Sequence, residues 1–182
     1  MSKYRKPFLA ILKPLWAERF PAWRHGVWSS PHIAPKDSTF TNTSALASRG
    51  LVFHVVVNFT PKWPGAFTAD ILVATSLDPL IERVDQRWPD DLLTLACGRY
   101  RIGWFVAKRD IWWRLVDDAA ASLRFYSSLP GIDAAALAFP RNPDHWYASS
   151  YDVSMETIMQ QAAVHLMETF ERHVPASLKL TT

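Results

Sequence analysis

The chain has one cysteine, six glycines and no apolar run of membrane-spanning length in its 182 residues, and each shortage removes a class of protein. A lone Cys97 cannot close an internal disulfide, so nothing calls for an oxidising compartment and a cytoplasmic setting is expected. The six glycines never gather into a Gly-rich motif, which leaves no phosphate-cradling loop. A bilayer span needs roughly 20 consecutive apolar residues and no stretch approaches that, so no membrane association is expected. There is also no Gly-x-Ser-x-Gly elbow, no His-Glu-x-x-His and no paired cysteines. The opening MSKYRKPFLAILKPLW imitates a secretion signal, but Lys13 and Pro14 break the run and no small-residue cleavage site follows. It reads as a helix of the mature chain.

What is present is the profile of a folded globular protein: 49% apolar residues, 20% charged and 13% aromatic. This length supports one good core, and a single domain is expected. A formal net charge of +3 is too small a bias to call for nucleic acid by itself. The N-terminal end is the basic one, because Lys3, Arg5, Lys6, Lys13, Arg19 and Arg24 face only Glu18 in the first twenty-five residues.

Apolar residues at three- and four-residue spacing (Phe8, Leu12, Leu15, Trp16, Phe20) predict an amphipathic helix from Lys6 to Phe20, with Pro7 in its first turn and Pro14 bending it. A short strand is read from Trp23 to Ser29, and the Pro-, Ser-, Thr- and Asn-rich stretch from Ser30 to Arg49 reads as a long loop. Leu51 to Phe59 and Phe67 to Thr75 form the clearest strand pair, joined by a turn-rich hairpin connection. Its register pairs Phe59 with Phe67, Val57 with Ala69, Val55 with Ile71 and Phe53 with Val73 on one buried side. A helical rhythm follows from Leu77 to Trp88. Arg99 to Val106 and Arg109 to Leu115 read as a second hairpin, Asp117 to Leu129 as a helix, Ile132 to Tyr151 as connection, and Ser154 to His173 as a final helix. Met155, Ile158, Met159, Ala162, Leu166, Met167 and Phe170 form the apolar stripe of that helix, and Ser154 suits its N-cap. The fold class is α+β: an antiparallel sheet of about five strands packed against the N- and C-terminal helices.

Two groups of residues on these strands could act. Strand alternation puts Arg99 and Arg101 on one side of their strand, and a two-residue turn at Ala107-Lys108 would set Arg101 opposite Arg114, with Trp112 on the same side. Opposed guanidiniums repel, so a carboxylate or phosphate between them is physically sensible. On the first hairpin, His54 and Asp70 stand diagonally across adjacent strands with Asn58 also diagonal to Asp70. The trio has the residue types of a base, an orienter and a donor. Its plainer reading is polar decoration of a sheet face. His165, Glu168 and His173 read as a solvated helix face, Cys97 as core, and most tryptophans as core or interface anchors.

Several pieces of the chain resemble one bacterial family, the domain of unknown function 4304. They are Phe8-Leu-Ala-Ile-Leu-Lys-Pro-Leu15, Val57-Asn-Phe59, Phe67-Thr68, Arg99-Tyr-Arg-Ile-Gly103 and Asp110-Ile-Trp-Trp113. The resemblance implies an α+β fold with an antiparallel sheet and carries no activity with it. The functional expectation is a non-enzymatic binding protein, an accessory or immunity-type factor, that engages an acidic protein partner through Arg99, Arg101, Arg114 and Trp112. Nucleic acid on the same basic face, or a small hydrolase built on His54 and Asp70, are the alternatives. None needs a cofactor, and no metal set is expected.

Overall fold

A computed structural model describes residues 3–26, 38–46, 51–60, 65–75, 98–103, 106, 111–117, 146–149 and 152–173. Helix α1 runs over Arg5–Arg19 and buries Phe8, Leu9, Leu12 and Trp16. Pro7 sits in its first turn, where a missing N–H breaks no ladder bond, and Pro14 lies on the exposed side. The helix stops at Phe20, whose N–H still reaches the Trp16 carbonyl at 2.8 Å.

Strand β1 (Arg24–His25) follows, then β2 (Thr39–Leu46), β3 (Leu51–Phe59), β4 (Ala66–Thr75), β5 (Gly98–Arg101), β6 (Trp113–Val116) and β7 (Trp146–Ala148), and helix α2 (Met155–His173) closes the order. Among the described residues these seven strands form one sheet, ordered β1-β2-β3-β4-β6-β7 with β5 beside β4 off that path. All described pairings are antiparallel except β6 with β7. The expected β3–β4 register holds along its whole length, from Leu51 with Thr75 to Phe59 with Phe67. Gly65 leads into β4 with φ +78° and takes the Leu115 N–H on its carbonyl at 3.0 Å.

One face of the sheet carries Phe40, Phe53, Val55, Val57, Phe67, Ala69, Ile71, Tyr100, Trp113 and Leu115, and both helices pack on it. Ring contacts knit this layer. Trp16 stacks on Phe40 with centroids 4.6 Å apart and lies 5.1 Å from Phe170 of α2, while Phe8 reaches Phe67 at 4.5 Å. α2 begins as read, with the Thr157 N–H donating to Ser154 Oγ at 3.1 Å, and it buries Ile158, Met159, Ala162, Leu166, Met167 and Phe170 as the stripe requires. The architecture is a single α+β domain.

Four expectations are corrected. The stretch expected to be a long loop contains β2, whose apolar rhythm is cut short because polar Asn42 stands on the same core-facing side as Phe40. The 132–151 connection contains β7. β5 ends at Arg101, short of Val106, and among the described residues β5 and β6 do not pair with each other: both pair with β4, at different positions along it. The strand read from Trp23 to Ser29 is confined to Arg24–His25 among the described residues. The helices read at 77–88 and 117–129, and Cys97, lie outside the described residues, apart from Asp117.

Candidate functional site

The second face of the sheet is polar and buried. Along β2, β3 and β4 the pleat places Thr39, Thr41, His54, Val56, Asn58, Thr68, Asp70 and Leu72 on it, and apart from Asn58, which is half-buried, each is at most 2% exposed. Buried polar side chains are tolerated where each finds a partner, and the described bonds show how several do. Thr41 Oγ1 and His54 Nδ1 are hydrogen-bonded at 3.0 Å, across the directly paired positions of β2 and β3. Asn58 Nδ2 donates to Asp70 Oδ2 at 2.6 Å, along the diagonal expected from the register. Thr68 Oγ1 donates to the Ile111 carbonyl at 2.9 Å, which fixes the entry to β6.

Arg101 stands directly opposite Asp70, with its Nε 3.7 Å from Asp70 Oδ1. Its guanidinium carbon lies 5.1 Å from the centroid of a Trp112 ring, a distance at which the ring's quadrupole attracts the cation. Arg101 therefore bridges a carboxylate within the sheet and the ring of Trp112 just before β6. Asp70 is 0% exposed while the Arg101 side chain keeps 22% of its surface in solvent.

The expected arginine pair does not form. Arg114 pairs with Ala66 instead of facing Arg101, and it is 2% exposed. The reason is that β5 and β6 do not pair with each other among the described residues: with both strands docked on β4, the two arginines occupy separate positions along it. Arg101 faces the chain's own Asp70 instead. Arg99 pairs with Leu72, and its side chain lies outside the described residues. Trp112 is half-buried beside Arg101.

His54 and Asp70 are diagonal, as the register requires, but their described bonds run to Thr41 in one case and to Asn58 and Arg101 in the other. Burial pushes the His54 imidazole down to about 4 from its ordinary 6.5, so the ring is neutral near pH 7. A general base works best with a pKa near the working pH, and His54 lies well below it.

His165 corrects another expectation. It is half-buried rather than on a solvated face: its Nδ1 is hydrogen-bonded to the Tyr147 hydroxyl of β7, and its ring meets the Trp113 ring edge-on at 6.1 Å. Among the described residues no group of three or more His, Cys, Asp or Glu gathers as a metal site, and no helix is long and apolar enough to cross a membrane. Sequence reasoning missed Thr41 and Tyr147, the partners of the two histidines. The alternation of Thr39-Phe-Thr41 was the available signal for the first, and the three residues of β7 gave none for the second. Comparison of the chain with family models, curated proteins and solved structures finds no match in any of the three.

Proposed function

We propose that this protein is a non-enzymatic binding module, of accessory or immunity type, that engages an acidic protein partner through Arg101 and Trp112. One observation carries the reading: the Asp70–Arg101 pair is oriented, with its negative member sealed in the sheet and its positive member half-buried, partly open to solvent beside an indole. A guanidinium fixed by a carboxylate and a ring has lost much of its rotamer freedom before a partner arrives, which lowers the entropy cost of binding. Arg and Trp are also the side chains that most often anchor interfaces.

The nucleic-acid alternative draws less support, because the basic N-terminal end is partly neutralised in place. Lys3 is ion-paired with Asp117, and Arg19 with Glu171 of α2. The hydrolase alternative asks His54 for a basicity that its burial removes. The resemblance to domain of unknown function 4304 belongs to the same proposal. In its favour, Val57-Asn-Phe59, Phe67-Thr68 and Arg99-Tyr-Arg101 fall on the adjacent strands β3, β4 and β5.

The test is affinity purification from the native host with wild type, Arg101→Lys and Trp112→Ala, followed by titration of the recovered protein and of duplex DNA. Lysine keeps the charge beside Asp70 and loses the planar fork. An acidic protein held by wild type and weakened about tenfold by each variant is the expected result. A partner indifferent to both variants, or DNA bound in preference, overturns the reading.

A further inference from the structure

The first turns of α1 and α2 meet over an open cleft of about 420 Å3 on the helical side of the protein, away from the Arg101 site. Its walls are apolar: Tyr4, Pro7 and Ile11 from the α1 side, Met155 and Met159 from α2. Small-molecule sites commonly span roughly 300–1,000 Å3 with apolar walls and a few placed polar groups, and the cleft has that make-up. Two methionines add walls that adapt to a guest's outline.

The charged groups at the rim decide which guest fits. Lys3 is ion-paired with Asp117, and its Nζ lies 5.0 Å from the Tyr4 ring centroid, so that corner is internally matched. Glu156 is different. It lines the cleft, is exposed, and makes no ion pair among the described residues. The Thr157 amide beside it is occupied by Ser154 Oγ, so the start of α2 offers that amide to no anion. Of the two carboxylates that line this apolar cleft, Asp117 is matched by Lys3 and Glu156 is left for a guest, which suits a molecule with an apolar body and a positive head. A carboxylate head would meet Glu156 as a like charge.

We propose that this cleft binds a small amphipathic amine, its apolar body between Ile11, Met155 and Met159 and its ammonium beside Glu156. The proposal is independent of the Arg101 reading and can fail without it.

The experiment is calorimetric titration of the full chain at low salt with octylamine, octanol and octanoate, which share a tail and differ in head. Octylamine should bind about tenfold tighter than octanoate, with octanol between them, because one head is attracted to Glu156 and the other repelled. Glu156→Gln should weaken octylamine about fivefold and leave octanol unchanged. Ile11→Trp, at a half-buried position on the wall, should weaken all three. Methyl resonances of Met155 and Met159 should shift with octylamine in wild type, a readout that needs no variant to fold. Equal affinities for the three heads, preference for octanoate, indifference to Glu156→Gln, or no saturable shift at the two methionines overturns the proposal.

Discussion

Asp70 on β4 and Arg101 on β5 are direct cross-strand partners, and solvent reaches only the arginine. The asymmetry makes the two ends of the pair unequal to mutation. Arg101→Met leaves a buried carboxylate without the cation opposite it, a change that costs about 3–5 kcal/mol at such sites. Asp70→Asn leaves a guanidinium that can turn to water, and should cost about half as much. Urea denaturation of the two single variants and the double variant checks this, and the double should be more stable than Arg101→Met alone.

His54 sets a pH dependence whose sign follows from its burial. Its folded pKa of about 4 lies below the ordinary 6.5, so between those values the unfolded chain binds the proton and the folded one does not. The contribution is complete above about pH 6.5 and is lost as the pH falls through about 4, on the order of 3 kcal/mol over the window. Stability of wild type and His54→Gln measured from pH 7 to 4 should diverge in slope, the variant being flatter. Parallel curves would remove His54 as the cause.

Gly65 occupies a left-handed backbone conformation, and a Cβ built on it would lie 2.0 Å from the Leu115 carbonyl oxygen. The contact is with backbone and cannot swing aside. Gly65→Ala should cost at least about 1–3 kcal/mol from the backbone conformation alone, with the clash added, and should lower Tm by several degrees. Thermal unfolding followed by circular dichroism measures it.

Trp16 is wholly buried between Phe20, Trp23, Phe40 and Phe170, and its indole N–H meets no acceptor among the described residues. Trp16→Ala should cost about 3–5 kcal/mol through the cavity it opens. Trp16→Phe removes the buried donor together with part of the volume, and should cost less than half of that. Chemical denaturation of both variants gives the ratio.

The legible part of this fold was the part governed by local pattern. Phe53, Val55, Val57 and Phe59 alternate so regularly that their partners on β4 could be named residue by residue, and the stripe and Ser154 cap of α2 were equally plain. β2 hid because its alternation is short: Asn42 shares the core-facing side with Phe40, so the apolar rhythm stops after Thr41. The docking of β5 and β6 on β4 hid for a different reason. Consecutive strands favour pairing with each other, and only tertiary placement reveals that each prefers a third strand. The Asp70–Asn58 contact was legible from register, whereas Asp70–Arg101 required that placement.

β4 is flanked by β3 along one side and by β5 and β6 along the other. Strands from far downstream in the chain thus dock on the β3–β4 ribbon, which predicts an order of assembly: that ribbon first, the later strands upon it. Truncating Ile71 should therefore slow refolding, while truncating Tyr147 on β7, at one end of the described strand order, should chiefly hasten unfolding.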